Sequence, residues 1–179
     1  LDALVLDVKT GSGAFIQKYP ESVKLAKALC ETGRSFKVDT RALITDMSQP
    51  LGKYVGNALE VYECLKILRG EAESEMAATL ELSVELTASM LVQCKISDSI
   101  QNSKFKIQKA LESGEALELF RQNVELQGGD PRICDNPELL LTKGLKQVEV
   151  TTAARSTDRM RALERAIAIA REDSRVRIV

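Results

Sequence analysis

The sequence predicts an α/β fold: a mixed, largely parallel sheet flanked by helices. Three observations carry that prediction. Residues 3–8, Ala-Leu-Val-Leu-Asp-Val, form a short continuous apolar run, the pattern of a strand covered on both faces. Val23, Ala26 and Leu29 then recur at helical spacing, with Pro20 suited to a first turn and Gly33 to a stop. Arg41 to Thr45 reads as a second strand, and strand, helix, strand in that order makes a parallel βαβ unit with a right-handed crossover.

Beyond that unit, "TDMSQPLGKYVGN" is a run of turn residues, and Asn57 with Glu60 forms a capping-box-like start for a helix. Ala58, Val61, Leu65 and Leu68 supply its apolar stripe and Gly70 its end. A long helix is predicted from Glu75 to about Lys95, and two shorter ones over Asp98 to Ser113 and Glu115 to Gln127, closed by Gly114 and Gly128. "GGDPRICDNPELL" reads as a surface loop. Lys146 to Val150 alternates as a strand, Asp158 to Glu172 has helical spacing, and Arg175 to Val179 reads as a last strand.

Composition narrows the function classes. With 25 basic and 26 acidic residues the net charge is −1, so no nucleic-acid partner is implied. Residues 76–92, the most apolar long stretch, are interrupted by Glu81 and Glu85, which argues against a membrane span. The four cysteines stand singly and histidine is absent, so no zinc site can be assembled from them; they read as small buried hydrophobes in a reducing compartment. Without histidine, general acid and base work falls to carboxylates, lysines, tyrosines and thiols. Because residue 1 is leucine and a strand-like segment begins within three residues of it, the protein is expected to start upstream.

Two segments could carry chemistry. In "DVKTGSGAF", Lys9 with Gly11 and Gly13 could gather backbone N–H groups and charge around an anion, or simply form a tight turn, the commoner fate. The spacing fits neither a P-loop nor a dinucleotide fingerprint. In residues 44–63, loop carbonyls with the Glu63 carboxylate could hold a hard cation; the competing reading makes Glu63 a solvated surface residue. Asp46 could face a ligand past a strand end or organise the turn, and Phe15 could wall in a planar base or join the core. Glu71, Glu73, Glu75 and the arginines from Arg155 to Arg177 read as solvated faces.

Taken together, "LDALVLDVKTGSGAF" and "ITDMSQPLGKYVGNALEVYECLKILRGE" resemble the thymidine and pyrimidine-nucleoside phosphorylases. The likeness continues more loosely through "ALESGEALELFRQNVELQGGDPRICDNPELL", covering residues 1–150. It implies a cytoplasmic, homodimeric enzyme of nucleoside salvage that acts on a pyrimidine nucleoside with phosphate as co-substrate, with no nucleic acid or membrane partner. A small helical domain and a large α/β domain would close over the substrates, with residues 1–150 forming the central part of the latter. The groups that hold phosphate and grip the base would all lie upstream, leaving no catalytic residue in this stretch. By the same resemblance Phe15 lines the base pocket. Leu51 and Tyr54, through backbone carbonyls, and Glu63, through its carboxylate, help bind a potassium-like monovalent cation. Lys9 and its glycines match a shared motif and read as architecture near the cleft.

The likeness fails after Val150, where "TTAARSTD" leads directly into an arginine-rich helix: either this member is shortened, or, the favoured reading, residues 151–179 are a terminal helix and strand joined across a missing segment. A Cα separation near residues 150–157 well above ~3.8 Å would follow from such a join. The alternatives are a non-catalytic fragment or interaction module, and a related phosphoribosyltransferase or nucleotide phosphorylase.

Overall fold

A computed structural model describes residues 1–141, together with the backbone of two short strands at 146–147 and 176–177. The chain divides into two compact units, one of residues 1–49 and 80–108, the other of residues 50–79 and 109–179. The α/β class is borne out.

In the first unit, β1 (Ala3–Thr10) pairs in parallel with β2 (Asp39–Asp46), in a register that sets Leu4 against Thr40, Val8 against Ile44 and Lys9 against Thr45. The crossover between them is α1 (Tyr19–Ser35), with proline in its first turn. Both strands are longer than their apolar runs because the ladder continues through polar residues, Lys9 and Thr10 at the end of β1 and Asp39, Thr40 and Asp46 at the two ends of β2. Alternation along a strand places Leu4, Leu6, Val8, Thr40, Ala42 and Ile44 on one face. That face meets α1, whose Val23, Ala26 and Cys30 line a shallow groove with Ala42 and Ile44. Most of β1 is half-buried, and Val8 alone is fully buried, so the expectation of a strand covered on both faces is not met among the described residues.

Gly33 lies within the last turn of α1 rather than after it. Its role is packing: a Cβ there would stand 2.8 Å from the Thr40 Cβ, closer than real side chains come. The helix instead ends at Phe36, followed by Lys37 with φ +62°.

The predicted long helix is a 3₁₀ turn, Ser74–Met76, followed by α3 (Ala77–Gln93). Next come α4 (Ile100–Glu112) and α5 (Glu115–Leu126), the latter preceded by Gly114 in the left-handed region at φ +77°. In the first unit, Lys104 of α4 pairs with Glu85 of α3, and Gln93 Nε2 donates to the Asp39 carbonyl at 3.1 Å.

The second unit is built on α2 (Asn57–Leu68). Its cap is Gly56 rather than Asn57, and the Glu60 carboxylate reaches back to accept from the Gly56 N–H at 3.1 Å. The buried residues are Tyr62, Glu63 and Leu65: of the predicted stripe Leu65 is buried, Val61 and Leu68 are half-buried and Ala58 is exposed. "GGDPRICDNPELL" departs from a plain surface loop. It contains two 3₁₀ turns, Pro131–Cys134 and Pro137–Leu140, and buries Cys134 completely. Arg69 donates to the carbonyls of Cys134 and Asp135 at 2.9 and 2.8 Å, while Arg121 forks onto the Asp135 carboxylate at 2.8 and 2.7 Å.

Of the cysteines only Cys134 is buried; Cys64 is exposed on α2, Cys94 is exposed just past the end of α3, and Cys30 is half-buried along the open groove between α1 and β2. β3 (Lys146–Gln147) pairs in parallel with β4 (Val176–Arg177), within the two predicted terminal strands. The predicted helix over 158–172 and the expected join near 150–157 lie outside the described residues.

Candidate functional site

Two constellations occupy the segments singled out from sequence, one in each unit. The first lies at the carboxyl end of β1 and β2, on the face opposite α1. Strand alternation puts Asp7 and Lys9 on that face, and the register brings Thr45 beside them. Lys9 Nζ stands 2.6 Å from Asp7 Oδ2 and donates to Thr45 Oγ1 at 3.0 Å. The Thr45 hydroxyl donates in turn to Asp7 Oδ1 at 2.5 Å. The lysine side chain keeps a third of its surface open to solvent.

The glycine loop beside it resolves in favour of a tight turn. Gly11, at φ +101°, donates its N–H to the Gln17 carbonyl at 3.1 Å, Gly13 donates to Met47 at 3.0 Å, and Ala14 donates back to Gly11 at 3.1 Å. Ser12 N–H meets Ser48 Oγ at 3.4 Å. With four successive amides turned onto protein acceptors, little is left to cradle an anion. Asp46 organises the neighbouring turn: its Oδ1 accepts from the Ser48 hydroxyl at 2.7 Å and from the Ser48 N–H at 3.0 Å. Those bonds, the hydroxyl's foremost, hold its carboxyl below the usual range. Phe15 does not enter the core; it stands fully exposed on the loop.

The second constellation surrounds Glu63. Far from being a solvated surface residue, Glu63 is only 3% exposed. Its Oε2 accepts the Tyr54 N–H at 2.8 Å, and its Oε1 accepts the Thr79 hydroxyl at 2.6 Å. Tyr54 sits edge-on to Tyr62, with ring centroids 5.2 Å apart, which fixes the end of the loop against α2. Gly52 is buried directly against the carboxylate; a Cβ there would stand 2.6 Å from the Glu63 carboxyl carbon.

This arrangement fits a hard cation. A buried carboxylate held only by neutral donors is a costly charge unless a positive group answers it. Lys53, the lysine of the loop, is already paired with Glu73. Among the described residues no backbone N–H donates to the carbonyls of Leu51 or Tyr54. Those carbonyls and one carboxylate form an oxygen-only set. No group of three histidine, cysteine, aspartate or glutamate side chains that could hold a metal is present among the described residues.

Sequence reasoning singled out Glu63 and the loop but missed Thr79 and Gly52. Gly52 could have been suspected as a glycine in the loop beyond the one, Gly56, that caps α2; Thr79 carries no local signal, being 16 residues from its partner. The glutamates predicted to be solvated are exposed, and they are also paired: Glu71 with Lys66 and Arg69, Glu73 with Lys53, and Glu75 with Ser74. No described helix is long and apolar enough to cross a membrane.

A family model described as "Glycosyl transferase family, a/b domain" matches residues 1–117. The chain is 42% identical over 139 residues to the pyrimidine-nucleoside phosphorylase of Bacillus subtilis (strain 168), covering 78% of this chain and 31% of that protein. It is 40% identical over 141 residues to the pyrimidine-nucleoside phosphorylase of Staphylococcus haemolyticus (strain JCSC1435), covering 79% and 32%. It is 39% identical over 139 residues to the protein of that name in Staphylococcus aureus (strain bovine RF122 / ET3-1), covering 78% and 31%. The chain thus spans about a third of the length of these relatives.

Proposed function

The chain belongs to the glycosyl transferase family characterised by this a/b domain, and from that membership we propose that the whole protein is a pyrimidine-nucleoside phosphorylase. It converts a pyrimidine nucleoside, thymidine or uridine, and phosphate into free base and pentose 1-phosphate. The observation that carries this reading is that one family match, over residues 1–117, takes in both the glycine turn and the Glu63 cage. The proposal extends to a cytoplasmic homodimer working in nucleoside salvage.

As the bond to the base breaks, positive charge develops on the sugar and negative charge on the departing ring. Catalysis therefore needs phosphate held on one face of the sugar and donors aimed at the base. In this reading those groups lie upstream of residue 1, and the described residues hold the frame. Phe15, exposed on a loop pinned by its own amides, offers an apolar wall to a planar base. Lys9, fixed by Asp7 and Thr45, keeps a charged group at the carboxyl edge of the sheet, where α/β folds receive ligands. The carbonyls of Leu51 and Tyr54 with the Glu63 carboxylate would hold a potassium-like cation, which supplies charge compensation and no bond-making chemistry.

Phosphate-dependent release of thymine or uracil by the full-length protein tests the proposal. Release that requires phosphate and yields pentose 1-phosphate is expected; no release from thymidine, uridine or deoxyuridine overturns it. Turnover by residues 1–179 alone would overturn the placement of the catalytic groups upstream.

A further inference from the structure

The Glu63 carboxylate is held from two directions. The Tyr54 amide arrives from the loop that carries the candidate carbonyl ligands, and the Thr79 hydroxyl arrives from the first turn of α3. A carboxylate with a single donor can still rotate about its last side-chain bond. One with a donor on each oxygen has its plane fixed, and here Oε2 is kept against the 51–54 loop. Gly52 closes the third side, since any larger residue would displace the carboxylate.

We infer that Thr79 is a positioning residue of this cation site: its hydroxyl orients Glu63 so that the carboxylate and the loop carbonyls act on one ion. The inference rests on the cation reading above. Thr79 itself is not a ligand in this account. Its hydroxyl acts through Oε1, the oxygen that does not accept from the Tyr54 amide, and the 2.6 Å bond is of the length expected for a hydroxyl donating to a charged oxygen. Orienting partners of this kind typically govern metal affinity by about 10- to 100-fold.

The test is the thermal midpoint of the full-length protein titrated with potassium chloride, with choline chloride holding ionic strength constant. The wild type is expected to gain thermal stability with potassium. Thr79→Val, which keeps the shape and removes the donor, should raise the half-saturating potassium concentration about 10-fold. Thr79→Ser, which keeps the hydroxyl, should restore it to within about 3-fold of wild type. Thr79→Ala serves in place of Thr79→Val if that variant does not fold. A wild-type potassium response with an unchanged half-saturating concentration in the donorless variant overturns the role of Thr79 and leaves the cation reading intact. A wild type and a Glu63→Gln variant equally indifferent to potassium and choline overturn the cation reading, and the role of Thr79 with it.

Discussion

Gly33 and Thr40 touch where α1 returns to the sheet, so closely that a single methyl group on Gly33 would collide with the threonine side chain. In a helix interior, alanine is favoured over glycine by about 1 kcal/mol. Overpacking against a fully buried neighbour costs about 1–3 kcal/mol, so the collision outweighs the propensity gain. Gly33→Ala should therefore destabilise the protein in denaturant unfolding, and by less in a Thr40→Ala background, where only the Cβ atoms remain opposed. Equal effects in both backgrounds would show that the contact does not decide the packing of α1.

Gly52 makes a second such prediction, in the other unit. Its Cα lies against the Glu63 carboxylate, and a side chain there forces either the loop or the carboxylate to move. Gly52→Ala should cost about 1–3 kcal/mol. It should also weaken the potassium response, whereas alanine at exposed Gly70, which meets nothing nearby but is strained by its φ of +73°, should lower stability without changing that response. A Gly52→Ala protein with wild-type stability and potassium dependence would mean that the carboxylate is not confined by the loop.

The two glycines also mark how far the sequence could be read. The βαβ unit was legible because its signals are local: an apolar run, a helical repeat and a second run, each within a dozen residues. The buried face of α2 was legible only in part. Apolar spacing pointed to Ala58, Val61, Leu65 and Leu68, of which the fold fully buries Leu65; beside it lie Tyr62 and Glu63, whose polar partners are far along the chain. Tyr62 answers to Glu138, 76 positions away, and Glu63 to Thr79. A polar side chain enters a core only when its hydrogen bonds are met, and that condition is set by tertiary structure rather than by periodicity. The same limit explains the arginine clamps on residues 131–135, since a stretch of Gly, Pro, Asp and Asn reads as a loop until Arg69 and Arg121 are placed beside it.

That clamp gives a pH dependence with a definite sign. Hydrogen bonding to Arg121, reinforced by its charge, holds the Asp135 carboxyl below its ordinary value. A group whose pKa is depressed on folding stabilises the protein above its unfolded value, about 4, and loses that contribution as pH falls through the folded value. Asp135→Asn should thus lower the thermal midpoint at neutral pH and have a smaller effect in strong acid. Because the pair is exposed, added salt should also shrink the difference. A penalty independent of both pH and salt would assign the role of Asp135 to shape alone.

Tyr62 carries the opposite sign at the alkaline end. Burial, and then its hydrogen bond to Glu138, push the phenol up to about 12. The unfolded phenol ionises near ~10, so between these values the unfolded state loses its proton first and folding weakens as pH rises. Tyr62→Phe removes one hydrogen bond from an exposed carboxylate that water can reach, a loss of about 1 kcal/mol at neutral pH. It also removes the alkaline titration. The wild-type advantage over Tyr62→Phe should accordingly hold steady below about pH 10 and shrink above it. If the advantage instead grows above that pH, the phenol is easier to ionise in the folded protein than in the unfolded chain, and its burial beside Glu138 does not hold in solution.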